Sequence, residues 1–225
     1  MVQKLDTLQE SPSQTAGPYV HIGLMPTYAG NAGYYDEEIG TTPFIDESKA
    51  QGEIIEIVGS VYDGTGWAMR DALIESWQCD ASGIFPGAEG ADPAVTGHCR
   101  FAADAETGEF TLRTVKPGPY KGRGGVDSAP HISLWVVSRG INIGLNTRIY
   151  FEDEDNENDP LLNRVEQRPR VDTLIAKKTG EGKYRFDIRL QGEGERFSSI
   201  FEPKQVIQKG RQRPPFLPFS EDVAR

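Results

Sequence analysis

Apolar and polar residues alternate along much of this chain, or gather in short apolar runs that stop at Gly, Pro, Asp or Asn. The segments Glu53–Asp63 (EIIEIVGSVYD), Ala72–Asp80 (ALIESWQCD), Gly108–Val115 (GEFTLRTV), His131–Ser138 (HISLWVVS), Thr147–Asp153 (TRIYFED) and Tyr184–Gly192 (YRFDIRLQG) carry this pattern. A period of two puts successive side chains on opposite faces of a pleated backbone, so each segment predicts a strand. DGTG at 63–66 and DAETGE at 104–109 supply hairpin-type turn residues between such runs. Six or more short strands at this spacing predict an all-β fold, a β-sandwich of mixed or antiparallel strands with short helical segments and long loops. Helix is expected chiefly in Asp159–Lys178, where Asp159 can cap, Pro160 suits the first helical position and Leu161, Leu162 and Val165 share a face. Pro169 should end that helix, with a further turn over Val171–Lys177.

Composition narrows the picture. With 25 Gly and 15 Pro in 225 residues, the chain favours turns over long helices. No stretch approaches the ~20 apolar residues of a membrane span, and no secretory apolar core stands near the start, so a soluble, cytoplasmic protein is expected. A net charge of −10 makes nucleic acid and anionic membranes poor partners. An acidic substrate would then need a local arginine. Cys79 and Cys99 read as free thiols packed in or near a core. FEDEDNENDP lacks the calcium-loop glycine and reads as a solvated charged loop. Serine-hydrolase, zincin, Walker and dinucleotide motifs are absent.

One stretch points to chemistry. PGPYKGRGGVDSAPHIS (Pro117–Ser133) sets Tyr120 and His131 near one another in sequence, and a phenolate with a neutral imidazole suits a transition metal. Around it, SPSQTAGPYVHIGL (Ser11–Leu24), GSVYDGTGWAMRDALIESWQCDASG (Gly59–Gly83), RTVKPGPY (Arg113–Tyr120), APHISLWVVSRGINIGLNTRIYFEDE (Ala129–Glu154) and YRFDIRLQGEGE (Tyr184–Glu195) together resemble the intradiol ring-cleaving dioxygenases. Within them the likeness is to the alpha chains of the protocatechuate branch, over residues 8–195. The resemblance implies a β-sandwich family in which two tyrosines and two histidines hold non-haem Fe(III).

Carried over by position, those ligands fall on Phe85, Tyr120, His131 and Ser133, and an arginine expected three residues before the first histidine falls on Ser128. Phe85 lacks the phenol oxygen and Ser133 the imidazole, so these positions read as a vestigial iron site, and no metal is expected on this chain. Tyr120 and His131 are then a hydrogen-bonded tyrosine and a satisfied core histidine. The resemblance implies a homologous iron-binding beta subunit as partner, in an (alpha-beta)n oligomer that inserts both atoms of O2 into protocatechuate to give 3-carboxy-cis,cis-muconate. It further implies that Thr15, Gly17, Pro18 and Tyr19 line the substrate pocket and that Arg139 meets the substrate carboxylate; Arg148 and Arg70 read as structural. A transthyretin-like β-sandwich that only binds small aromatic ligands, and a homomeric dioxygenase with an altered iron site, are the alternative readings.

The end of the chain departs from the family. Alpha chains typically close on a strand like GEGETVFFDF, whereas here the sequence runs GEGERFSSIFEP. One base deleted from codons for Glu-Thr-Val-Phe-Phe-Asp-Phe yields Glu-Arg-Phe-Ser-Ser-Ile-Phe, the run from Glu195 to Phe201. Residues 1–195 are therefore expected to form the dioxygenase-like domain and 196–225 a frameshifted, disordered tail, a hypothesis that resequencing across the Glu195 codon tests. The tail holds 6 basic and 3 acidic side chains, which leaves 18 basic and 31 acidic ones, a net of −13, in residues 1–195.

Overall fold

β1 (Ile54–Tyr62) and β4 (Glu109–Val115) alternate over most of their length and pair antiparallel with Ile57 opposite Leu112. Ile55, Ile57 and Val61 of the first and Phe110 and Leu112 of the second are fully buried, so these strands bury one face. The computed structural model describes residues 14–31, 33, 40–122, 125–142 and 144–191. Its other strands are β2 (Leu73–Trp77), β3 (His98–Ala102), β5 (Tyr120–Lys121), β6 (Asp127–Ser128), β7 (His131–Val137), β8 (Leu145–Phe151), β9 (Ile175–Gly180), β10 (Lys183–Arg185) and β11 (Ile188–Arg189).

Two layers face each other. One holds β4, β1, β10 and β11; the other runs β3, β2, β7, β8 with all neighbours antiparallel. β9 joins them, since Ile175 and Ala176 pair parallel with β8 while Lys177–Gly180 pair antiparallel with β10. Between the layers lie Ile55, Ile57, Phe110, Leu112, Ile74, Phe101, Ile132, Leu134, Val136, Ile149 and Phe151. This is the mixed-strand all-β architecture that the alternation predicts.

Several local expectations are corrected. The turns at 63–66 and 104–109 form, with Asp63 Oδ1 accepting the Thr65 and Trp67 N–H groups and Asp104 Oδ1 those of Glu106 and Thr107. They do not close hairpins between paired long strands, because the chain changes layer there: β1 and β2, and β3 and β4, lie in different layers. β3 is not among the predicted strands, although it alternates, with Cys99 and Phe101 buried and His98 and Arg100 on the outer face. The segment Tyr184–Gly192 breaks into β10 and β11 because Asp187 Oδ1 takes the Ser60 N–H at 3.1 Å in place of a ladder partner; Gly192 lies outside the described residues.

The helix expected from Asp159 is replaced by two 3-10 segments, Leu162–Arg164 and Arg168–Leu174, and Pro169 lies in the first turn of the second rather than ending the first. Asp159 does cap, its Oδ1 accepting the Leu161 and Leu162 N–H groups at 2.9 and 3.1 Å. The turn expected over Val171–Lys177 instead runs into β9. The acidic loop is only partly solvated, since Asp159 is 1% exposed and Lys116 pairs with Asp153 and Glu154 at 3.2 and 2.6 Å. Cys79 and Cys99 are buried free thiols, and burial pushes them up to about 11 and about 12. The frameshift reading of residues 196–225 falls outside the described residues. No helix among the described residues is long and apolar enough to cross a membrane.

Candidate functional site

β7 organises both regions that the sequence singled out. Its even positions Ile132, Leu134 and Val136 enter the core, so His131, Ser133, Trp135 and Val137 share the opposite, outer face. Neighbouring strands add to that face in register. Ser133 lies between Trp77 and Arg148, and His131 lies opposite Tyr150.

At the His131 end, the positions that resemble family ligands form an aromatic cluster. The ring centroids of Phe85 and Tyr120 are 5.0 Å apart, those of Tyr120 and His131 5.4 Å, and those of His131 and Tyr150 5.3 Å. The exposed Trp77 stacks on Phe85 at 6.1 Å. Tyr120 is brought back to the site by the β5–β6 hairpin, in which it pairs with buried Ser128. The left-handed Gly83 lets the loop before Phe85 run close beneath this segment, since a Cβ there would stand 2.0 Å from the Pro119 oxygen.

Several polar groups at this end pair with one another, whereas Tyr120, expected to be hydrogen-bonded, is held among the described residues by ring contacts. His131, 4% exposed, donates from Nδ1 to the Ala129 carbonyl at 2.8 Å, and burial holds its imidazole below its ordinary range. Arg148 Nη1 donates to Tyr150 Oη at 3.2 Å, and that hydroxyl donates to Asp159 Oδ1 at 3.0 Å. Asp159 Oδ2 accepts the Ala129 N–H at 3.1 Å. Burial pushes the Tyr150 phenol far above its ordinary range, so it stays protonated as donor.

Non-haem Fe(III) does not fit these residues. At the four family positions Phe85 offers no donor atom and Ser133 a poor one, and the strand register sets the Arg148 cation directly across from Ser133. Among the described residues no group of three or more His, Cys, Asp and Glu gathers at metal-binding spacing.

The other end of β7 carries the second region. Eight residues separate His131 from Arg139, about 26 Å at roughly 3.3 Å per residue. Here a helix absent from the expectations, α1 (Pro18–Leu24), packs on the outer face: Met25 clusters with Leu73 and Val137, beside Ala16, Val20, Leu24 and Trp135. Gly17 is extended and Pro18 occupies the first turn, as the restricted φ of proline favours. Arg100 anchors the far end, donating from Nη1 to the Leu24 carbonyl at 3.3 Å while its Nε and Nη2 reach Glu75 Oε1 at 2.8 and 2.6 Å.

This helix brings Thr15 beside the loop after β7, where the Gly140 N–H donates to Thr15 Oγ1 at 2.7 Å. Tyr19 is 85% exposed. Arg139, its side chain 54% exposed, pairs through Nε with Asp71 Oδ2, and the buried Ser138 hydroxyl donates to Asp71 Oδ1 at 3.3 Å. Thr15 is thus tied to the loop that carries Arg139, with Gly17 and the exposed Tyr19 following it in the chain, while Phe85, Tyr120, Ser128, His131 and Ser133 lie toward the opposite end of the strand. The sequence reading missed Asp71, Arg100 and Tyr150, and gave Asp159 only as a helix cap. Asp71 was findable once the β2–β7 register was known: extending Leu73↔Val137 by two residues sets it against Arg139.

A family model described as Dioxygenase matches residues 25–192. The chain belongs to the intradiol ring-cleavage dioxygenase family. It is 48% identical over 196 residues to the protocatechuate 3,4-dioxygenase alpha chain of Pseudomonas putida, covering 85% of this chain and 96% of that one. Against the alpha chain of Burkholderia cepacia the identity is 42%, with 85% and 97% coverage. Against the Burkholderia cepacia beta chain it is 30%, covering 74% and 77%. An intradiol ring-cleavage dioxygenase from Tetranychus urticae shares the fold at a TM-score of 0.54 and 19% identity, covering 73% of this chain and 94% of that structure.

Proposed function

We propose that this chain is the alpha subunit of a protocatechuate 3,4-dioxygenase and that it completes a catalytic site whose iron is held by a homologous beta subunit. The observation that carries this reading is the separation along β7. The positions resembling iron ligands are occupied by a ring cluster beside the Arg148–Tyr150–Asp159 hydrogen-bond chain, while Thr15, Tyr19 and Arg139 are exposed and lie toward the other end. A surface that offers a guanidinium, hydroxyls and an aromatic ring suits the carboxylate and ring of an aromatic acid bound next to it. The 48% identity to an alpha chain, against 30% to a beta chain, supports the same side of the pair.

In the assembled site the ferric ion would supply Lewis acidity to a catecholate during O2-dependent intradiol cleavage to 3-carboxy-cis,cis-muconate. This chain's part is recognition and orientation. Arg139 receives the substrate carboxylate in a charge-assisted hydrogen bond, and Tyr19 and the Gly17–Pro18 backbone form the wall beside it. A cationic group here also offsets the chain's net charge of −10 where an anionic substrate must approach. The reading places the (alpha-beta)n complex in the cytoplasm, with no nucleic acid or membrane partner.

Reconstitution tests this. The purified chain should show no protocatechuate turnover alone, and turnover should appear when it is co-expressed with a beta chain carrying the full ligand set. Turnover by this chain alone would favour a homomeric enzyme, and failure to associate with any beta chain would favour a binding module.

A further inference from the structure

We infer that Asp71 is a positioning residue for substrate recognition, holding Arg139 in the orientation that receives the carboxylate. The inference rests on the reading of Arg139 given above and adds the device that aims it. Register sets the pair, because Leu73 lies opposite Val137 and the antiparallel ladder carries Asp71 to the level of Arg139. The carboxylate is itself fixed on three counts. Its side chain is 17% exposed, its Oδ1 accepts the hydroxyl of the fully buried Ser138, and its backbone lies in a turn where the Ala72 N–H reaches the Met69 carbonyl at 3.3 Å.

Asp71 holds the Nε side of the guanidinium and so sets the plane of the group, whose fork geometry matches a carboxylate. A second tie holds the loop from the other side, where Thr15 Oγ1 accepts the Gly140 N–H at 2.7 Å. Arginine on an unsupported loop would have to be ordered when substrate binds. Ordering it beforehand moves that cost out of the binding step. Asp71 therefore acts through Arg139, and its effect is confined to substrates that carry a carboxylate.

The test uses the iron-loaded complex of this chain with its partner, assayed with protocatechuate and with unsubstituted catechol. Asp71→Asn keeps the shape and removes the charge. It should raise KM for protocatechuate about tenfold, keep kcat within about twofold and leave KM for catechol unchanged, the pattern of lost binding made equally in ground and transition states. Asp71→Glu, which keeps the charge, should recover most of the loss. Arg139→Met should show the same selectivity, and adding Asp71→Asn to it should change little further. If Asp71→Asn fails to assemble, Ser138→Ala loosens the same carboxylate and should give a smaller shift in the same direction. Equal losses for both substrates, or no loss in Asp71→Asn where Arg139→Met is selective, would overturn the positioning role alone. No selectivity in Arg139→Met would overturn the reading of Arg139, and the inference with it.

Discussion

Replacing Asp159 by Asn perturbs the network that closes the His131 end of β7 while barely changing its volume. Asp159 is 1% exposed and accepts four hydrogen bonds, from Tyr150 Oη at 3.0 Å, Leu161 N at 2.9 Å, Leu162 N at 3.1 Å and Ala129 N at 3.1 Å. An amide can keep Oδ1 toward the first three, but its NH2 then meets the buried Ala129 N–H, donor against donor. The buried N–H left without an acceptor costs about 1–3 kcal/mol, and the remaining bonds lose the strengthening that a charged acceptor gives. A total of about 3 kcal/mol follows, since members of one network do not add fully. In a chain of this size that lowers Tm by roughly 6–12 °C, at about 2–4 °C per kcal/mol. Thermal unfolding of the purified protein, with Tyr150→Phe as the milder comparison, reads this out; the double variant should be less than additive. A shift for Asp159→Asn within about 2 °C of wild type would refute the claim that the buried Asp159 carboxylate holds this network together.

Three further outcomes follow from the same structure. Burial pushes Asp153 up, but hydrogen bonds from Lys178, Lys116 and Tyr184 outweigh it and hold the carboxyl at about 2. Its folded value lies below its unfolded one, so its contribution is present above about pH 4 and is lost as pH falls through about 2; Asp153→Asn should flatten acid unfolding in that window, and an unchanged profile would contradict the assignment. Cys79 and Cys99, at about 11 and about 12, should resist a chromogenic disulfide reagent at pH 8 in the native protein and react fully in denaturant; fast native labelling would show that they are not packed as described. Gly59→Ala should cost about 3 kcal/mol or more by overpacking, because a Cβ would stand 1.8 Å from the Phe186 oxygen and 2.6 Å from the Phe110 ring; a stability within about 0.5 kcal/mol of wild type, measured in urea, would show that β1 can yield there.

What the sequence revealed depended on how local the signal was. Period-two runs such as Ile54–Tyr62 and Glu109–Val115 name their own strands, because one face of each is buried and the other is not. His98–Ala102 alternates too but is only five residues long, and the partners of its outer Arg100, Glu75 across the β2–β3 ladder and the Leu24 carbonyl, are far away in sequence. The segment after Asp159 reads as helix by capping and spacing, yet Leu162 goes into a small core with Ala129 and Tyr150, and the backbone tightens to 3-10 geometry around it. At the site, motif positions brought out Phe85, Tyr120 and His131, whose ring cluster the fold then assembles, and Ser133 on the same face of β7. The Arg148–Tyr150–Asp159 chain and the Asp71–Arg139 pair were not legible, since both are products of cross-strand register and of where a loop returns.

The account turns on which chain holds the metal. The most direct measurement is the iron-to-subunit ratio in the native complex purified through this chain, with each subunit quantified separately. One iron per pair of this chain and a second, homologous chain is the predicted result, and stoichiometric iron in an assembly of this chain alone would contradict it.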